Sequence, residues 1–130
     1  VIKMLFYIFN SQDERRSLGG SSFIELQFCK FPLKTKIELL IEKINFWEND
    51  SLYISVYETF YDEYKYIFNC GIYSNLEIGY MDLHGINYYS PSETDRIIDK
   101  ILKYKPLDYE TLIKWLESSK EYNGFYVLGF

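Results

Sequence analysis

The sequence predicts an α+β fold: a mostly antiparallel sheet of about five to six strands with three helices packed on one face, in the order β-β-α-β-β-β-α-α-β. Three observations lead there. Short apolar or alternating runs, bounded by Gly, Ser, Asn and Asp clusters, recur along the chain and have the length of strands. Three other segments repeat apolar residues at three- and four-residue spacing, and each opens on a proline or a capping residue. The connections between the middle strands are short, as in an antiparallel meander.

Ile2 to Phe9 is apolar and aromatic without helical spacing, which predicts a buried strand. Asn10 to Ser21 is charged and ends near Gly19-Gly20, a loop. Ser22 to Cys29 alternates Phe23, Glu25 and Gln27 against Ile24, Leu26 and Phe28, a second strand suited to a long-looped hairpin with the first. Pro32 is well placed for a first helical turn. Leu33, Ile37, Leu40, Ile41, Ile44 and Trp47 then fall on one stripe, predicting an amphipathic helix over 33 to 47. Leu52, Ile54 and Val56 alternate with Tyr53, Ser55 and Tyr57, a strand with one aliphatic and one tyrosine-rich face.

Phe60 to Glu63 reads as a turn, Tyr64 to Cys70 as a returning strand, and Leu76 to Tyr80 as a third. Asp82 to Tyr89 reads as a loop holding His84. Ser90-Pro91-Ser92-Glu93 is a capping box, and its helix buries Ile97, Ile98, Ile101 and Leu102 before Pro106. Asp108 caps the third helix, with Tyr109, Leu112, Ile113 and Leu116 inward and Asn123-Gly124 at its end. Phe125 to Phe130 is apolar enough for a central strand. With no internal repeat, low-complexity tract or linker, 1–130 is expected to be one domain.

Composition narrows the function classes. The chain has 130 residues, 19 acidic and 14 basic, for a net charge of −5. That acidity argues against general binding to nucleic acid or an anionic membrane, because phosphates need a basic surface. Alanine is absent while Ile, Lys, Asn, Tyr and Phe abound, a bias toward AT-rich codons. Even so, a core of this size does not need as many hydroxyl-bearing rings as 14 Tyr supply, and tyrosine is favoured at protein interfaces. Cys29 and Cys70 form no C-x-x-C pair, which suits reduced thiols and a cytoplasmic protein. The apolar run from Met4 to Phe9 is too short for a secretory signal, and no segment reaches the roughly 20 apolar residues of a membrane span.

Catalytic patterns are sparse. His84 with Cys29 or Cys70, and Asp82 to orient the ring, would make a thiol nucleophile, yet no local signature joins them. A loop histidine followed by glycine is ordinarily a surface residue. Asp50 with Glu63 and Lys65 has the order of a metal-dependent nuclease, two carboxylates for the metal and a lysine for the phosphate. Here Glu63 falls in an expected turn, where solvated charges are ordinary. One histidine and two distant cysteines offer no zinc spacing, and Gly19-Gly20 lacks the residues of a phosphate loop. The expectation is a protein that is not an enzyme and holds no metal or cofactor.

The remaining signal is acidic and aromatic. Glu48, Asp50, Glu58, Asp62 and Glu63 cluster around the expected first hairpin, among Tyr53, Tyr57 and Tyr61. Rigid rings within a rim of carboxylates suit docking to a basic protein. Asp13 and Glu14 are a second candidate patch, diluted by Arg15 and Arg16. The plainer alternative buries the tyrosine face and leaves the carboxylates merely solvated.

In its whole profile, a short, acidic, aromatic-rich α+β chain, the sequence resembles the small immunity proteins encoded beside bacterial polymorphic and contact-dependent toxins. Trp47-Glu48-Asn49-Asp50-Ser51-Leu52-Tyr53-Ile54-Ser55 and His84-Gly85-Ile86-Asn87-Tyr88-Tyr89 have the flavour of that class without being diagnostic. The resemblance implies a one-to-one inhibitor of a cognate toxin domain, often a basic nuclease. The rival expectations are a phage-type nuclease inhibitor that mimics DNA and a homodimeric structural or regulatory module.

Overall fold

The computed structural model describes residues 5–18, 23–41, 44, 47–55 and 60–129. Six antiparallel strands, β1 (Phe23–Phe28), β2 (Leu52–Ser55), β3 (Gly71–Ile72), β4 (Ile78–Gly79), β5 (Ile86–Tyr89) and β6 (Phe125–Leu128), form one sheet in the order β2-β1-β6-β5-β3-β4. The α+β class holds, with five helices among the described residues in place of three: α1 (Gln12–Ser17), α2 (Ile37–Leu40), α3 (Phe60–Tyr64), α4 (Pro91–Tyr104) and α5 (Tyr109–Ser118). A short 3-10 turn, Ser119–Glu121, follows α5.

The central position of β6 follows from its apolar run, which leaves all four residues buried between β1 and β5. Alternate side chains along a strand face opposite sides of the sheet. On one side Ile24, Leu26, Phe28, Ile54, Phe125 and Val127 pack with Phe60 and Tyr64 of α3, Ile97, Ile98 and Ile101 of α4, and Leu112, Trp115 and Leu116 of α5. Trp115 stacks on Phe28 with ring centroids 4.2 Å apart. The opposite side is closed by α2 and non-helical chain: Leu40 and Ile41 cover Tyr88, Tyr126 and Leu128, while Phe9 meets Phe23 and Tyr53.

Several elements differ from expectation for identifiable reasons. Within its described residues, the apolar stripe over 33 to 47 contains one turn of helix, α2, preceded by a turn in which the Thr35 amide donates to the Pro32 carbonyl at 3.0 Å. The Leu40 carbonyl accepts from the Tyr126 hydroxyl, and the Trp47 and Glu48 amides donate to the Glu25 carboxylate. Sheet side chains thus take main-chain groups that a long helix would pair internally. Leu33 is left 73% exposed.

The expected N-terminal strand over Ile2 to Phe9 is not one within its described part. Leu5 to Phe9 wraps the β2 edge, and Tyr7 forms an isolated bridge with Tyr53 through two 2.8 Å hydrogen bonds. The segment therefore meets β2 rather than pairing with β1. The expected loop after it contains α1, capped by the Ser11 hydroxyl accepting from the Glu14 amide.

Tyr64 to Cys70 is no strand either. Phe60, Tyr64, Ile67 and Phe68 lie on a helical stripe, and all four are buried in the main core. The meander is built from β4, β3 and β5, so part of the expected His84 loop is strand.

The Ser90 cap forms as expected, its hydroxyl accepting from the Glu93 amide at 3.3 Å. The Glu93 carboxylate pairs forward with Arg96 at 2.7 Å. Leu102 faces solvent. Asp108 precedes α5 but gives its carboxylate to the N-terminal segment, accepting from the Leu5 and Phe6 amides at 2.8 and 3.1 Å. Helix α5 ends at Ser118, before the expected stop. Gly124, at φ +81°, sits where a β-carbon would collide with the Tyr89 carbonyl.

Glu25 is only 3% exposed. Its carboxylate accepts from the Trp47 and Glu48 amides at 2.6 and 3.0 Å, the Ser51 hydroxyl at 2.7 Å and the Gln27 amide at 3.0 Å. These bonds hold Trp47 in a left-handed conformation, φ 71°, and fix the chain entering β2. We expect Glu25→Ala to lose about 3 kcal/mol of stability in urea unfolding, since four donors lose their acceptor.

Burial pushes the hydroxyls of Tyr53, Tyr64, Tyr88, Tyr89 and Tyr126 above their ordinary value. The folded state then keeps protons that the unfolded state releases above about pH 10. Stability is expected to be undiminished by these groups below that point and to fall as pH rises through it. Urea unfolding between about pH 9 and about pH 11.5, followed with tyrosinate absorbance, measures this.

Candidate partner-binding surface

The structure divides the eight expected contact residues. Tyr53 is 0% exposed; its ring tilts against Phe9 at 5.0 Å, and its hydroxyl donates to the Glu48 carbonyl at 2.9 Å. Its side of β2 is covered by the N-terminal segment, and the Arg15 guanidinium lies 5.7 Å from its ring centre. This corrects its expected role as a partner contact. Glu48 is half-buried beside a pocket of about 210 Å³ that also contains Lys30. Asp50 pairs with Lys30 at 2.8 Å, and its carbonyl accepts from the Trp115 indole. Tyr57 and Glu58 lie outside the described residues.

Tyr61, Asp62 and Glu63 lie together on α3, after the C-terminal end of β2, whereas Glu48 and Asp50 precede its start. Asp62 and Glu63 are exposed and Tyr61 is half-buried against the core. Asp13 and Glu14 lie on α1, where Asp13 faces Arg16 at 3.8 Å and Glu14 accepts from the Asn10 amide.

Around α3 the fold assembles tyrosines that are scattered in sequence. A groove of about 820 Å³ runs from Glu63 and Tyr66 to Tyr104 at the end of α4, floored by Ile67, Pro106 and Leu107. A smaller hollow of about 140 Å³ joins Tyr66 to Tyr61 and Tyr80. A second groove, about 550 Å³, continues from Tyr61 and Tyr80 to Tyr73, Glu77 and Asp82. Shared residues make these one continuous band. Tyr66 and Tyr104 are each 65% exposed, and Tyr80 meets Tyr66 edge-on at 6.1 Å.

The band is charged unevenly. Lys100 and Lys105 line the larger groove, while Glu77 and Asp82 line the other. Between them the Lys65 ammonium stands 5.6 Å from the Tyr61 ring centre and 5.2 Å from that of Tyr66. The Tyr73 hydroxyl is raised from its ordinary value by desolvation, with Asp82, Tyr61 and Glu77 adding to the effect. Of the expected residues, Tyr61 and Glu63 line this band and Asp62 adjoins them on α3, whereas Tyr66, Tyr73, Tyr80 and Tyr104 were not among those expected. The available signal was the exposed side of the helical stripe at Phe60, Tyr64, Ile67 and Phe68.

The residues of the other chemical readings have these described contacts. The Cys29 thiol contacts the Tyr126 hydroxyl at 3.3 Å, and the Cys70 thiol lies beside Arg96. Asp82 accepts the backbone amide of His84 at 2.9 Å. Of the expected nuclease pair, Asp50 pairs with Lys30 and Glu63 accepts from the Leu107 amide at 3.5 Å. Among the described residues no group of three or more His, Cys, Asp or Glu side chains is placed to hold a metal ion, and no helix is long and apolar enough to cross a membrane. No protein-family model, curated protein or solved structure matches the chain.

Both cysteines are free. Burial pushes the Cys29 thiol up, overcoming its hydrogen bonds to Tyr126 and Phe31. At about pH 8, iodoacetamide is expected to label Cys70 in the folded protein and Cys29 after unfolding. Mass spectrometry of tryptic peptides reads out both rates.

Proposed function

We propose that the chain is an immunity-type inhibitor, binding a basic toxin domain one-to-one through the tyrosine band around α3. The continuity of that band carries the reading. It presents Tyr61, Tyr66, Tyr73 and Tyr80 beside Asp62, Glu63, Glu77 and Asp82. Tyrosines supply large contact area with little side-chain entropy to lose, and carboxylates at the rim steer a basic partner. A nuclease toxin needs a basic cleft for phosphate, so these charges complement it. Lys65, Lys100 and Lys105 interrupt the carboxylates, which favours a protein docking surface over a DNA-like stripe. Two free thiols agree with a cytoplasmic setting.

The test compares the wild-type chain with an Asp62→Lys, Glu77→Lys, Asp82→Lys variant as bait in lysate of the source organism. A single basic protein, retained at equal stoichiometry, released by salt and lost from the variant, is the expected result. Equal retention by both baits would overturn the surface assignment. Concentration-dependent self-association in sedimentation, with no partner retained, would move the reading to a homodimer.

A further inference from the structure

We infer that the groove between α3 and the β3–β4 hairpin is an arginine-binding subsite, filled by one guanidinium of a basic partner protein. The inference rests on the docking role proposed above and specifies its chemistry.

The lining combines half-buried Tyr61 and Tyr73 with exposed Tyr80, Glu77 and Asp82, and its described lining residues include no basic side chain. A guanidinium is planar and weakly hydrated, so it stacks on a tyrosine ring while its N–H groups reach carboxylates. An ammonium is a compact charge and uses such a slot less fully. The volume, about 550 Å³, is ample for one such side chain.

The rings are already positioned. The Tyr73 hydroxyl donates to the Tyr80 carbonyl at 2.5 Å, and its ring lies over Gly79, where a β-carbon would strike it. The adjoining part of the same band already holds a cation. Lys65 lies over Tyr61 and Tyr66, so these ring faces tolerate positive charge within the protein itself. Tyr61 lines both hollows.

The experiment titrates the full, ¹⁵N-labelled chain with a tetra-arginine peptide, a tetra-lysine peptide and a tetra-citrulline peptide, whose side chain has the guanidinium shape without charge. Saturable shifts centred on Tyr73, Glu77, Tyr80 and Asp82 are expected, strongest for arginine and absent for citrulline. Glu77→Gln with Asp82→Asn is expected to weaken arginine binding about tenfold, and Tyr80→Leu about fivefold. Gly79→Ala, which displaces the Tyr73 ring without removing a contacting group, is expected to weaken it as well. Shifts centred elsewhere, such as Asp95 and Asp99 of α4, would overturn the subsite. So would equal binding of arginine and lysine, or unchanged binding in the charge-neutralised variant when its spectrum remains folded. Because peptide binding is read without the partner, failure of the subsite and failure of the toxin-binding role are separate results.

Discussion

The acceptance of two backbone amides, a hydroxyl and a side-chain amide by the buried Glu25 carboxylate organises the second side of this sheet. A buried anion is costly unless its lone pairs are met, and here donors from Trp47, Glu48, Ser51 and Gln27 meet them. The same bonds bring the chain back to the sheet in a left-handed step at Trp47 and deliver it into β2. Irregular chain can cover a sheet face when side chains of that sheet satisfy its main-chain groups. Tyr126 does the same for Leu40, and Tyr88 for Asn123.

Asp108 plays the corresponding part at the β2 edge. Its carboxylate receives the Leu5 and Phe6 amides, while Thr111 donates to its other oxygen at 2.7 Å. The Tyr64 hydroxyl donates to the neighbouring Leu107 carbonyl at 2.7 Å. Helix α3, the loop before α5 and the N-terminal segment are thereby joined. The band of tyrosines consequently stands on a well-anchored base, with Phe60, Tyr64, Ile67 and Phe68 buried beneath Tyr61 and Tyr66. Pre-positioned rings lose little freedom on binding, which is the physical advantage of placing contacts on such a base.

Tyrosine serves two purposes in this chain. Tyr53, Tyr64, Tyr88, Tyr89 and Tyr126 are buried, each with a hydroxyl hydrogen bond; those on strands tie other segments to the sheet, and Tyr64 ties α3 to the loop before α5. Tyr66, Tyr80 and Tyr104 are exposed along the grooves. A hydroxyl-bearing ring is suited to both, because it combines apolar area with one polar group that must find a partner.

The sequence by itself determined the α+β class, strands β1, β2 and β6, helix α4 with its Ser90 cap, and the body of α5. Their signals are local: period-two alternation, helical spacing and capping are read within a few residues. It also marked Tyr61, Asp62 and Glu63 as surface candidates, since two of the three are charged and adjacent. Tertiary structure decided the rest. The stripe over 33 to 47 satisfies helical periodicity, yet its backbone partners come from Glu25 and Tyr126, remote in sequence. Tyr53 has the alternation of an exposed face, and the N-terminal segment covers it. The grooves likewise join Tyr61, Tyr73, Tyr80 and Tyr104 from four separate elements or turns, a proximity that no spacing along the chain encodes.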